Sequence, residues 1–237
     1  GLRCYQYEDP PAQTNLSGML DIKLRTSATH CEGRVRALAR APKATNWSLS
    51  METMKRDVDW LACLGVNFFC PDAFNYTVEG LPPDQPCSQF YQTTSWRDYG
   101  RFADYVARLC YVLSQGHHKP QAGLLKPGTF ADAMDKELID WLQAYCECLL
   151  AEHVDFDIID EQSLAHATIE DDRLLLGEET FELLILPPLH SVAWRTADKI
   201  RVFAEEGGKL IGTSVLPVED STGDRHVDVR ESFAIAF

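Results

Sequence analysis

One stretch limits what this chain can fold into more than any other: Asn46–Asp72, NWSLSMETMKRDVDWLACLGVNFFCPD. It contains a helix start, an amphipathic helix, a helix stop and a buried strand, in that order. Ser50 is placed to act as an N-cap, and Glu52 puts a negative charge in the first turn, where the helix dipole favours it. Met51, Met54, Val58, Leu61 and Leu64 recur at three- and four-residue steps and so share one face. Gly65 suits the left-handed position past the last turn. Val66–Cys70 is a short apolar run that Pro71 ends. A helix feeding directly into an apolar strand is half of a parallel βαβ unit. Asp72, Asn75 and Tyr76 follow the strand, and in parallel α/β folds that end is where chemistry gathers.

The same alternation runs through the rest of the chain. Leu2–Glu8 reads as a strand, Ser17–Cys31 as a helix closed by Gly33, and Arg34–Ala39 as a short strand. Ala73–Ser95 is irregular and rich in proline, a length of loop that usually has a task. Trp96–Gln115 reads as a helix with an apolar stripe of Phe102, Tyr105, Val106, Leu109, Val112 and Leu113, capped by Gly116. His117–Pro120 reads as a hinge. Beyond it come strands at Gln121–Leu125, Phe156–Asp160, Glu182–Leu186 and Lys209–Thr213, with helices at Met134–Glu152 and Ala193–Glu206. Arg173–Leu176 and Glu178–Phe181 flank Gly177 as a small hairpin. This half is expected to form a flavodoxin-like or Rossmann-like layer. Residues 218–237 read as the start of a strand-rich region. The first and last stretches, LRCYQYE and VRESFAIAF, are both strand-like, and a fragment of a longer polypeptide is expected.

Charge and cysteine usage narrow the function. Lys plus Arg number 22 against 36 Asp plus Glu, a net charge of −14, which repels phosphate backbones and anionic lipid. Neither nucleic acid nor a membrane is expected as a partner. The eight cysteines form no CxxC pair and several lie inside apolar patterns, which suits a reducing, cytoplasmic setting and gives no metal-ligand spacing. His117 and His118 read as exposed side chains at a helix end, where a cation complements the dipole, rather than as metal ligands. The strand-to-helix turns KPGTF, DEQSL and PPLHS contain no G-x-G-x-x-G, so no dinucleotide or other cofactor is expected. No elbow nucleophile follows Leu186.

The first half carries the candidate chemistry. Glu8, Asp72, Asn75, Tyr5, Tyr76 and Trp47 all lie just beyond candidate strands, and parallel strand ends converge on one side. Aromatics stack on sugar rings, amides bond hydroxyls and paired carboxylates cleave glycosidic bonds. The plainer reading is that Glu8 and Asp72 cap helices or loops.

Three segments then resemble a known family: RVRALARAPKATNWSLSMETMKRDVDWLACLGVNFFCPDAFNYTVEG, SWRDYGRFADYVARLCYVLSQG, and DFDIIDEQSL with RLLLGEETFELLILPPL. They are similar to large bacterial glycoside hydrolases of the α-L-rhamnosidase type, over roughly residues 1–217. The resemblance implies that residues 1–116 are the last three strand–helix units of a (β/α)8 (TIM) barrel. It implies that 117–217 form a flavodoxin-like or amidotransferase-like accessory domain, with 218–237 entering a truncated β-rich region. It adds Asn46 to the sugar-contact residues Tyr5, Trp47, Asn75 and Tyr76. Two positions depart from the pattern. Arg40 stands where the family has a glutamate, and a guanidinium is neither a nucleophile nor a proton acceptor. Asp72 stands where the family has a histidine, on a different strand from Arg40. The catalytic candidates are therefore Asp72, Glu8 and the Arg40 position. The expectation is a fragment of a glycosidase, impaired as it stands, with carbohydrate as its partner. The alternative is a non-catalytic carbohydrate-binding or oligomerisation module. Unpaired strand edges would favour homo-oligomers.

Overall fold

The computed structural model describes residues 16–42, 49–71, 74–80, 90–128, 136–213, 215–223 and 225–237. The predicted strand at Leu2–Glu8 lies outside the described residues. The chain divides into two compact units, and the division falls within helix α1 (Leu16–Cys31). The first unit takes Val35–Gly116 with the opening turns of α1; the second takes Lys23–Arg34 with His117–Phe237.

In the first unit, β1 (Leu38–Ala39), α2 (Met51–Cys63), β2 (Phe68–Phe69) and α3 (Trp96–Leu113) follow in order. β1 and β2 pair in parallel, with Leu38 opposite Phe68 and Ala39 opposite Phe69. The Ser50 hydroxyl accepts from the Thr53 amide at 3.1 Å, which starts α2 as its sequence predicts. Met54, Val58, Leu61 and Leu64 are all buried, and Gly65 takes φ +100°. Val66 then leads to Asn67, a buried polar residue inside the apolar run. Its side-chain oxygen accepts from the Ala37 amide at 2.9 Å, and its amide donates to the carbonyls of Val35 at 2.8 Å and Leu113 at 3.3 Å. One side chain thus joins the approach to β1, the approach to β2 and the end of α3.

Helix α3 differs from its predicted packing. Of the stripe read from the sequence only Phe102 is buried, while Val112 is 65% and Leu113 42% exposed. Tyr105, at the margin of the stripe, is taken by polar contacts: its hydroxyl bonds the Asp59 carboxylate, and the Lys55 ammonium lies 4.6 Å from its ring centre.

The second unit contains β3 (Ala122–Lys126), α4 (Lys136–Ala151), β4 (Phe156–Asp160), α5 (Glu161–His166), β5 (Thr168–Glu170), β6 (Arg173–Leu176) and β7 (Glu179–Phe181). It continues through β8 (Leu183–Ile185), β9 (Ser191–Val192), α6 (Trp194–Glu205), β10 (Lys209–Ile211), β11 (Glu219–Asp220) and α7 (His226–Ala236). The main sheet is parallel throughout, in the order β10-β8-β3-β4. Every residue of β3 and β4 is buried, the apolar ones and the charged Lys126, Asp157 and Asp160 alike. Leu125, Ile159 and Leu184 of the sheet share one core with Ile200 and Phe203 of α6 and with Val229 and Phe233 of α7. The meander β5-β6-β7 turns at Gly177, whose φ of +62° matches the predicted hairpin.

The end of the chain corrects a prediction. Residues read as strand-rich form α7, because Val229 and Phe233, four apart, both reach the apolar core. Tertiary burial overrides the β propensity of the ESFAIAF run. Helix α5 and strand β5 were also not predicted. α5 starts with Asp160 as N-cap, accepting from the Ser163 amide at 2.7 Å.

Gly208, just past α6, tests this core. A Cβ there would lie 2.3–2.5 Å from three atoms of the buried Phe203 ring. Gly208→Ala is expected to cost ~1–3 kcal/mol by overpacking, seen as a lower urea midpoint at unchanged slope. Gly100→Ala, where a Cβ meets nothing within 4 Å, is the control that should not destabilise.

Candidate functional site

Parallel pairing of β1 and β2 puts their C-terminal ends side by side. The Cys70 amide donates to the Ala39 carbonyl at 2.9 Å, so Arg40 and Pro71 both leave the same end of the pair. Arg40 is exposed there. Asn75 is half-buried, and its carbonyl accepts from the Gln92 side-chain amide at 2.8 Å. Tyr76 is 86% exposed, with its carbonyl held by the Tyr91 hydroxyl at 2.9 Å. Arg40, Asn75 and Tyr76 therefore all follow the predicted strand ends. Tyr5, Glu8, Asn46, Trp47 and Asp72 lie outside the described residues.

Beside this end runs a feature the sequence did not announce. An apolar groove of about 600 Å³ is lined by Pro42, Phe68, Pro71, Phe74 and Tyr99 among others. Two of its lining rings, Phe74 and Tyr99, belong to a connected cluster that also takes in Phe90 and Trp96, which do not line it. Phe74 meets Tyr99 edge-on at 5.4 Å, Phe90 meets Trp96 at 4.8 Å, and Trp96 stacks on Tyr99 at 5.5 Å. Burial pushes the Tyr99 phenol up to about 12, so the ring is a neutral wall at ordinary pH. The signal was present as Phe74, Phe90, Trp96 and Tyr99, but their spacing spans a loop and a helix and has no single period.

The second unit holds a dense polar network. Asp157, near the start of β4, is fully buried. It accepts from the Ser27 hydroxyl at 2.9 Å and from His30 Nδ1 at 3.0 Å, and the Lys23 ammonium lies 3.6 Å away. His118 Nδ1 is 3.1 Å from Glu179 and 3.4 Å from Asp157, while its Nε2 is 2.8 Å from Asp155. The rings of His30 and His118 lie 4.3 Å apart. Ligand atoms of His30, His118, Asp157 and Glu179 all fall within 4.8 Å of one another. Only part of the histidine reading survives. His117 is exposed and pairs with Glu178 at 2.7 Å, but His118 is drawn inward because three carboxylates surround it.

The electrostatics follow from that crowding. Burial disfavours the charged form of His118, but bonds to Asp155, Asp157 and Glu179 outweigh it and raise its pKa to about 11. Burial likewise opposes ionisation of Asp157, and Lys23, His118 and His30 outweigh it, holding the carboxyl far below the usual range.

The strand ends of the parallel sheet are locked rather than open. Glu161, at the tip of β4, accepts from the Gly128 amide at 2.7 Å and the Ala193 amide at 2.8 Å, one on each oxygen. Asp220 accepts from the Trp194 amide at 3.1 Å at the start of α6. These acids serve backbone amides.

The fold resembles part of the folds of a rhamnosidase and of β-galactosidases. No protein-family model and no curated protein sequence matches the chain. Among solved structures, the rhamnosidase from Novosphingobium sp. PP1Y is similar over 93% of this chain and 21% of its own, with a TM-score of 0.69 and 16% identity. Gan42B, a GH42 β-galactosidase from G. stearothermophilus, is similar over 94% of this chain and 35% of its own, at TM-score 0.58 and 13% identity. The cold-adapted β-galactosidase from Rahnella sp. R3 matches 89% of this chain and 33% of its own, at TM-score 0.60 and 12% identity. The chain thus spans about a fifth of the rhamnosidase and about a third of the galactosidases. Among the described residues, no helix is long and apolar enough to cross a membrane.

The network makes stability depend on pH. His118 titrates higher folded than its ordinary 6.5, so its contribution is complete below about pH 6.5 and is lost as pH rises through about 11. Asp157 titrates below its ordinary 3.8, so its contribution is present above about pH 4 and is lost as pH falls. Together they favour the window between. Thermal unfolding in chelator-containing buffer should show His118→Gln destabilised at about pH 5.5, with a flatter decline towards about pH 9 than the parent chain. Parallel pH profiles for the two would remove His118 from the network.

Proposed function

We propose that the chain is the C-terminal part of a sugar-cleaving (β/α)8 barrel followed by a flavodoxin-like or amidotransferase-like layer. The intact enzyme hydrolyses O-glycosidic bonds, α-L-rhamnosides foremost, and the chain as it stands is impaired in that reaction. The observation that carries the reading is the parallel β1–β2 pair with α2 and α3 following its strands, in a chain whose backbone matches a rhamnosidase over 93% of its length. The sheet order β4-β3-β8-β10 adds support. Numbered by appearance it runs 2-1-3-4, the opening of the flavodoxin-like order.

In this reading Arg40 holds the position of a catalytic glutamate, and Glu8 and Asp72 are the nearby carboxylates. Asp72 is not a ready substitute, because retaining chemistry sets its two carboxyls about 5–5.5 Å apart and Asp72 follows a different strand. Tyr5, Asn46, Trp47, Asn75 and Tyr76 contact the sugar. Among the described residues the β1–β2 sheet has two strands, and a sheet this narrow favours association with further copies.

A second reading is favoured by the aromatic groove, which Arg36 also lines: a module that binds carbohydrate without cleaving it. Apolar walls stack on sugar faces whether or not a carboxylate is present.

Two measurements test and separate these readings. The chain fused behind the upstream strands of a rhamnosidase barrel should hydrolyse nitrophenyl α-L-rhamnoside at least ~10²-fold faster after Arg40→Glu, the contribution of a positioned acid–base group. An unchanged rate removes position 40 from catalysis. Titration of rhamnose and galactose against the tryptophan fluorescence of the unfused chain should show saturable quenching without turnover if the binding reading holds. A flat titration ends that reading.

A further inference from the structure

We propose that His30, His118, Asp157 and Glu179 form a divalent metal site in the second unit, with zinc as the fitting ion. Four donors from four separate segments meet there: α1, the stretch before β3, β4 and β7. The donor set is two imidazoles and two carboxylates, which suits zinc in a tetrahedral site.

Spacing supports this first. Zinc bonds of about 2.0–2.2 Å at tetrahedral angles hold neighbouring ligand atoms roughly 3.3 Å apart. The observed separations are 3.0 Å for His30 Nδ1 to Asp157 Oδ2, 3.4 Å for His118 Nδ1 to Asp157 Oδ2, and 3.1 Å for His118 Nδ1 to Glu179 Oε2. These three pairs already stand near ligand spacing, and the whole set lies within 4.8 Å, so an ion draws the remaining pairs together by up to about an ångström and a half.

The supporting shell points the same way independently. His118 Nε2 faces Asp155 at 2.8 Å, the carboxylate–histidine arrangement that fixes the tautomer and turns the other nitrogen's lone pair towards a metal. Asp157 is oriented by the Ser27 hydroxyl on Oδ1, leaving Oδ2 to face the imidazoles. Ligation needs both imidazoles neutral, so a metal displaces the proton that His118 otherwise holds; Asp155, Asp157 and Glu179 then carry three negative charges against the ammonium of Lys23. The remaining two are balanced by one divalent cation. Entry is open, because the side chain of His118 keeps 24% of its exposure and that of His30 12%. The role is structural: both carboxylates and both imidazoles are fully engaged, and no coordination position is left for a substrate.

The test uses the full chain, freed of metal by chelation, with Zn²⁺ and Co²⁺ as probes. Expected is saturable binding of one Zn²⁺ per chain with a raised melting temperature. The Co²⁺ form should show the visible bands of tetrahedral nitrogen and oxygen ligation without thiolate charge transfer. Glu179→Gln and His30→Gln should each weaken zinc at least ~10-fold, and Asp155→Asn, which removes only the supporting carboxylate, by ~10-fold with the fold retained by circular dichroism. The site is overturned if the folded chain binds no zinc at micromolar concentration. It is equally overturned if these variants bind as tightly as the parent, or if the Co²⁺ spectrum shows cysteine ligation.

Discussion

A carboxylate with no access to solvent sits near the start of β4, and the second unit is arranged around satisfying it. Moving an unpaired carboxylate into such a place costs several kcal/mol even after relaxation. Asp157 offsets this with Lys23, Ser27 and His30 from α1 and with His118 from the stretch before β3. None of those partners is near it in sequence; Ser27 is 130 residues away. The charge therefore selects where α1 lies on this unit. Ser27 does two tasks at once, donating to Asp157 and accepting from the Ile158 amide at 2.9 Å. Among the described residues β4 is the last strand of the sheet, so the hydroxyl also occupies an edge amide.

How much of this could be read from residues alone varies with the kind of signal. Ser50, Gly65 and the Met54–Val58–Leu61 face are local, and α2 forms where they predict. The same holds for β3, β4, the Gly177 hairpin and α6, whose bounds fall within a few residues of the sequence reading. Helix α7 was not legible, because Val229 and Phe233 become a helical face only against α6. Asp157 was invisible for a related reason. In FDIID it reads as one more acid near a strand end, and its partners come from regions that no period connects to it. His118 was misread by position. A histidine after a helix is usually a surface cap, and only the fold brings Glu179 and Asp155 to it. The parallel β1–β2 pair was legible, since it is a local consequence of two apolar runs with a helix between them; of the candidate sugar site, Arg40, Asn75 and Tyr76 come after those strands in the chain, and the other candidates lie outside the described residues.

Helix α3 marks the limit of stripe arguments. Phe102, Tyr105, Val106, Leu109 and Val112 give the highest amphipathic contrast in the chain, yet Val112 and Leu113 stay exposed while Tyr105 spends its hydroxyl on Asp59. A stripe reports a surface able to be buried, not the partner that buries it. The aromatic groove illustrates the converse, since Phe74 and Phe90 reach Trp96 and Tyr99 from irregular chain with no periodic pattern to announce it.

The two functional readings differ in which interaction matters at the strand ends of the first unit. Cleavage depends on a proton acceptor or nucleophile at one position, and Arg40 offers five donors and no acceptor. Binding depends on area and shape, and Phe68, Phe74 and Tyr99 of the groove supply both whatever stands at position 40. A glutamate-to-arginine change at that point therefore separates the two energetically: it removes a chemical step worth several kcal/mol of barrier while leaving the stacking surface intact. On the proposed reading, then, the aromatic wall and the backbone that carries it can outlast the reaction they once served. Their persistence says nothing for or against turnover, because Phe74, Tyr99 and Phe102 of the groove are held by one another.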